Sequence, residues 1–196
     1  MINGEVYLKI FYHDVDKGGF FDSVAQAKYN LDENRYSIIS NITDEFRDSD
    51  GKFTFLILYP TFGRYNIWQQ SNFPLQEPKF TSSREKLSPV EGFNSIKTFA
   101  NHSEINCTWG GLVLTNYPYY LLDGCPNGVN WNFAIGYTGA NTVFPDSIPA
   151  DVGTTKIVSL WMKSMQDKAI YLDSCKLFNC FRFSISYPTF ILLVVT

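Results

Sequence analysis

Three tryptophans, a run of amides, an aspartate and two cysteines fall in and around three short words. These are Ile67-Trp68-Gln69-Gln70-Ser71-Asn72, Trp109-Gly110-Gly111-Leu112 and Asp123-Gly124-Cys125-Pro126-Asn127-Gly128-Val129-Asn130-Trp131. Indole faces beside side-chain amides suit a flat, hydroxylated ligand such as a sugar, because rings stack on its apolar face while amides donate to hydroxyls. Trp68, Gln69, Asn72, Trp109, Asp123, Asn130, Trp131 and Asn132 are therefore the candidate ligand-binding residues. Each has a plainer reading, since Trp fills cores and Asn and Asp-Gly shape turns.

Bond-breaking chemistry finds little footing. His13-Asp14-Val15-Asp16 invites a metal, yet with Gly19 aligned as the glycine of a calcium loop the closing position is Ala25, which has no carboxylate. The only histidines are His13 and His102, and neither a His-x-x-x-His nor a Cys-x-x-Cys spacing occurs, which argues against zinc. Gly-x-Ser-x-Gly is absent, and Gly18-Gly19 and Gly110-Gly111 lack phosphate-loop spacing. Glu91 and Asp123 could cleave a glycoside if they stood about 5–10 Å apart, but carboxylate pairs are common in any domain of this size. No catalytic residue, metal or cofactor is assigned.

The 196 residues suffice for one domain with a substantial core. A net charge of -3, with 16 scattered Lys and Arg, argues against nucleic acid as a partner. Aromatics at 17% are the outlier, and they suit the core of a β-rich domain. The start, Met1-Ile2-Asn3-Gly4-Glu5, runs directly into strand-like alternation without the segments of a signal peptide. Sequons at Asn41, Asn101 and Asn106 nonetheless suggest secretion, so the chain is expected to be an extracellular domain of a larger or incompletely read protein. Cys107 and Cys125 could form a disulfide, but with Cys175 and Cys180 present the pairing stays open.

The elements that must position these residues read as mainly β, with α+β as the variant. Val6, Leu8, Ile10 and Tyr12 alternate as one face of a strand. Ser23–Tyr29 and Tyr36–Phe46 read as two short helices, the second lining up Ile38, Ile39, Ile42 and Phe46. Lys52–Tyr59 is apolar on both faces and reads as a central strand stopped by Pro60. Phe73–Pro89 reads as a long loop. Further strands are expected at Phe93–Phe99, Gly111–Thr115, Tyr119–Leu122, Trp131–Tyr137 and Thr155–Met162, with Asn127-Gly128 as a tight turn. Trp161, in the apolar last strand, reads as core. The expected architecture is a jelly-roll-like β-sandwich with two short N-terminal helices.

The order of short words carries a resemblance. Lys9-Ile10-Phe11-Tyr12-His13, Gly18-Gly19-Phe20-Phe21, Ser49-Asp50-Gly51-Lys52-Phe53, Trp68-Gln69-Gln70-Ser71-Asn72, Trp109-Gly110-Gly111-Leu112, Asp123-Gly124, Trp131-Asn132-Phe133-Ala134-Ile135-Gly136 and Val158-Ser159-Leu160-Trp161-Met162 follow one another. Together they resemble an extracellular module of secreted invertebrate animal proteins of matrix and adhesion type, found near EGF-like and fibrinogen-like domains. The resemblance implies an adhesion role and brings no defined ligand or activity. It covers residues 6–163, so residues 1–163 are read as one module. Residues 164–196 depart from it, either as a tail foreign to the module or as an extra hairpin. Their closing run, Phe190–Thr196, is far shorter than the roughly 20 residues that span a bilayer, so no membrane span is expected. The function read from sequence is a non-catalytic extracellular recognition or adhesion module, with a glycan or an extracellular protein as partner. The alternatives are a structural matrix unit without a small ligand and a carboxylate-based glycoside hydrolase.

Overall fold

The computed structural model describes residues 5–75, 89–99, 109–115, 119–125, 133–139, 144–150 and 153–164. All of them belong to the first of two units of the chain, Met1–Met165.

Six strands form one antiparallel sheet. They are β1 (Tyr7–Asp14), β2 (Arg35–Ser37), β3 (Phe53–Tyr59), β4 (Arg64–Gln70), β5 (Asn94–Thr98) and β10 (Ile157–Lys163), in the spatial order β2-β1-β10-β3-β4-β5. The last strand lies between the first and the third, so both ends of the described chain are tied into the centre of the sheet. Two small antiparallel pairs accompany it: β6 (Val113–Leu114) with β7 (Leu122–Asp123), and β8 (Ile148–Ala150) with β9 (Gly153–Thr155). The helices are short, α1 (Val15–Gly18) and α2 (Val24–Lys28). The protein is thus mainly β, built on a large antiparallel sheet.

Alternation along the strands explains the core. Phe53, Phe55, Ile57 and Tyr59 of β3 share the inner face with Trp68 of β4 and with Val158, Leu160 and Met162 of β10, all at most 1% exposed. Against that face pack Trp109, Leu112, Leu121, Phe133, Ile135, Tyr137 and Ile148 in one continuous cluster. Fully burying each such side chain is worth about 1.5–3 kcal/mol. The turn from β3 to β4 runs through Pro60–Phe62 and closes on Gly63 at φ 61°, a left-handed conformation that side chains with a Cβ rarely adopt.

Three expectations are corrected. Residues 36–46 form no continuous helix: Ser37 pairs with Asn30, the Ile38 N–H donates to the Ile10 carbonyl, and two 3-10 turns follow, at Ile39–Asn41 and Asp44–Phe46. The isoleucines stay on the buried side, but their β-branches weaken helix formation and β1 offers strand pairing instead. The expected strand at 131–137 forms no ladder over its described part, 133–137. Only Ile135 bridges to Leu122, beside Phe133 at φ 62° and Gly136 at φ 73°. Trp161 is half-buried rather than core. Val158, Leu160 and Met162 take the inner face, and the two-residue period sends Trp161 outward.

Candidate functional site

The amides of the Trp-Gln-Gln word divide by face. Gln70, fully buried on the inner side of β4, makes four hydrogen bonds. Its Oε1 accepts from Trp68 Nε1–H at 2.7 Å and from the Leu112 N–H at 3.0 Å. Its Nε2 donates to the carbonyls of Asn72 at 2.7 Å and Leu112 at 3.0 Å. One amide thus stitches β4 to the Gly110–Leu112 segment, which no backbone ladder does. Such a network lowers the cost of a buried polar group to near zero and fixes a unique arrangement.

The rings of Trp68 and Trp109 pack on protein. Their centroids lie 4.7 Å apart in an edge-to-face arrangement; Phe55 flanks Trp68 at 5.5 Å and Phe133 flanks Trp109 at 4.9 Å. With exposures of 0% and 3%, neither offers a face to a ligand. The expectation of an aromatic floor from these two is corrected: neighbouring rings occupy those faces. Gly124 shows how tight the packing is, since a Cβ there would meet Trp109 Cζ3 at 2.4 Å and Phe133 Cβ at 2.5 Å.

Asp123 does what Asp-Gly does in a turn. Its Oδ1 accepts the Cys125 N–H at 2.9 Å, while burial pushes the carboxyl up to about 7 against these backbone donors. Cys125 is fully buried and disulfide-bonded. Asn130, Trp131 and Asn132, the sequons Asn101 and Asn106, Cys107, and the turn Asn127-Gly128 lie outside the described residues. Asn41 is exposed, and Asn72 is exposed with its carbonyl held by Gln70.

The His13-Asp14 pair is structural. His13 is buried among Phe11, Phe20 and Phe21, and its Nε2–H donates to the Gly19 carbonyl at 3.0 Å. Desolvation lowers its pKa to about 4, and Arg35, its cross-strand neighbour, adds to that effect. Asp14 caps α1 through the Lys17 N–H at 3.2 Å. Among the described residues no three His, Cys, Asp or Glu side chains gather as a metal site would need.

The outer face of the large sheet brings together residues that could meet a ligand. Strand register places Lys9, Trp161, Leu56, Ile67 and Lys97 directly opposite one another across five strands; Lys9, Trp161 and Lys97 reach the surface, while Leu56 and Ile67 between them are 1% and 2% exposed. Beside this row stand Tyr12, Ser159, Leu58 and Tyr65 in a second one. Lys9 Nζ sits 5.1 Å from the Tyr12 ring and 5.8 Å from the Trp161 ring. At the far end Lys97 Nζ lies 4.8 Å from the Tyr65 ring and 4.6 Å from that of Phe99, which is 51% exposed. Trp161 Nε1–H donates to Ser159 Oγ at 2.8 Å, which holds the indole in place. Gln69, the outward amide of β4, donates to Asp48 Oδ2 at 2.9 Å and accepts from Asn94 Nδ2 at 3.1 Å. Among the described sequence-derived candidates, this face gathers Gln69 alone. It adds Tyr12, Tyr65 and Trp161, and the spacing of Val158, Leu160 and Met162 was the signal that turned Trp161 outward.

Comparison with protein families, with characterised proteins and with solved structures gives no match. Among the described residues no helix is long and apolar enough to cross a membrane.

Proposed function

We propose that the protein is a non-catalytic extracellular recognition or adhesion module that binds a glycan on the outer face of its large sheet. The observation that carries this reading is the one-sided array on that face: the half-buried rings of Tyr12, Trp161 and Tyr65 with the interlocked amides of Gln69 and Asn94. Rings held by packing and hydrogen bonds keep a binding surface preorganised. The continuous cluster beneath the sheet, drawn from Trp109–Leu112, Leu121–Cys125 and Phe133–Tyr137, supports a two-layer, sandwich-like architecture that holds this face rigid. The resemblance to secreted matrix and adhesion modules points the same way, as does the exposed sequon at Asn41. A glycan array probed with the full chain and with Trp161→Ala tests the reading. Binding that Trp161→Ala abolishes while the fold is retained supports it, and no binding by the folded protein contradicts it.

A structural matrix unit is the second reading, and the sheet edge favours it. Within the described residues β5 pairs only with β4 and carries Ile96 at 52% exposure, and such edges template assembly. Concentration-dependent association by sedimentation that Ile96→Lys removes would support it.

A further inference from the structure

We propose that the glycan subsite of the outer face lies at its β2-β1-β10 end, around Lys9, and selects a terminal sugar carrying a carboxylate over its neutral counterpart; this rests on the outer face being the recognition surface.

A β-bulge builds this corner. Along β1, Lys9 stands opposite Trp161 and Phe11 opposite Leu160, so Ile10 is an extra residue without a partner on β10. Ile10 and Phe11 both enter the core, at 1% and 0% exposed, while Lys9 and Tyr12 both emerge on the outer face. An unbroken strand would send Lys9 and Tyr12 to opposite faces, because side chains alternate; the bulge re-aims them to one side. Lys9 Nζ consequently stands 5.1 Å from the Tyr12 ring centroid and 5.8 Å from that of Trp161. Tyr36 lies opposite Tyr12 on β2, and Tyr29, 39% exposed, is near enough to add to burial in raising the pKa of the Tyr36 hydroxyl.

The corner is small and bounded. Tyr36, Tyr12 and Trp161 sit on three adjacent strands, so two strand spacings, about 10 Å, separate the outermost backbones. Towards the middle of the sheet the surface closes, with Ser159 at 2% and Leu56 at 1% exposed. Such a platform suits the end of a glycan rather than the length of one.

Charge selects the kind of end. Lys9 is exposed, and among the described residues it ion-pairs with no carboxylate. Cation–π contact orients its ammonium without neutralising it. The carboxylates around the corner are engaged: Glu5 pairs with Lys163 at 2.9 Å, and Asp14, 2% exposed, accepts the Lys17 N–H and the Tyr12 hydroxyl and faces Lys17 Nζ at 3.8 Å. Asp32 and Glu33 precede β2 at its Arg35 end, which pairs with His13 rather than with the Lys9 end of β1. A carboxylated sugar supplies the partner that Lys9 lacks while its ring lies on the aromatic platform. A neutral sugar supplies only the ring.

The test is titration of the full chain, followed by its backbone amide and indole N–H spectrum, with two acid–neutral pairs: digalacturonate against its methyl ester, and sialyllactose against lactose. Diglutamate serves as an acidic peptide. The expected result is that the acid of at least one pair shifts the Trp161 signal and binds roughly 2–5-fold tighter than its neutral partner, the size of one exposed ion pair. Lys9→Gln and high salt each bring the acid down to the affinity of the neutral sugar, and Trp161→Ala weakens both. Equal affinity within each pair overturns the acidic preference and leaves glycan recognition intact. A preference that survives Lys9→Gln overturns the placement at this corner. Diglutamate binding as tightly as the better acidic sugar overturns the proposal in favour of an acidic peptide. No binding of any of these sugars by the folded chain overturns the proposal, and the glycan reading falls with it only if the array also retains nothing.

Discussion

Replacing Gln70 by methionine, close in shape but without polar atoms, removes the amide that joins β4 to the Gly110–Leu112 segment. The change strands two buried donors, Trp68 Nε1–H and the Leu112 N–H, which now meet Gln70 Oε1 at 2.7 and 3.0 Å. Each orphaned buried donor costs about 1–3 kcal/mol, so the loss is about 2–6 kcal/mol, with the carbonyls of Asn72 and Leu112 also losing a donor. In a domain of this size that lowers Tm by roughly 4–24 °C. Urea unfolding of the wild type and Gln70→Met, with m-values compared, measures it directly. A double-mutant cycle with Trp68→Phe should return a coupling of about 0.5–3 kcal/mol, because the two side chains share a hydrogen bond. A loss below about 1 kcal/mol with unchanged m would refute the assignment of Gln70 as the polar hub.

Gly124→Ala should destabilise by about 1–3 kcal/mol, since its Cβ lands on Trp109 and Phe133; a neutral effect in thermal unfolding would show that this packing yields. Two groups should pull stability in opposite directions with pH. His13, whose folded pKa lies near 4 against 6.5 unfolded, binds its proton more readily in the unfolded chain, so its contribution falls as pH drops from 6.5 to 4. Asp123, raised to about 7, holds its proton more readily when folded, so its stabilisation is full below pH 3.8 and lost as pH rises to 7. Asp123→Asn should therefore steepen the rise of stability with pH between 4 and 6.5, and His13→Asn should reverse or flatten it. Identical pH profiles for wild type and both variants would refute these assignments. Reduction of the Cys125 disulfide should cost about 2–5 kcal/mol, seen as a lower urea midpoint, and an unchanged midpoint would deny it a stabilising role.

Where chain periodicity and physical burial agree, the fold was legible. β3 is apolar on both faces and lies inside the sheet, and Ser23–Tyr29 contains α2 behind its Ser23 cap. β4 was hidden for a physical reason. Its inner face carries Asn66 and Gln70, both fully buried, so the strand reads as polar on the side that packs. Only long-range partners, such as the Leu112 backbone for Gln70, make that burial possible, and sequence spacing does not reveal them. The same blind spot affected the candidate site. Trp68 and Trp109 read as ligand-facing because polar residues stand near them in sequence, yet the amide beside Trp68 in space serves its indole N–H in the core. Trp161 reads as core because its strand is apolar overall, whereas parity along Val158, Leu160 and Met162 decides its face. The row from Lys9 to Lys97 spans residues far apart in sequence and exists only through strand register.

The most direct test of outer-face recognition is the indole N–H spectrum of the ¹⁵N-labelled full chain during titration with a glycan that the array retains. Recognition on the outer face predicts a progressive shift of the Trp161 signal, while those of Trp68 and Trp109 stay in place inside the core. Shifts at Trp68 or Trp109 with Trp161 unmoved would contradict it.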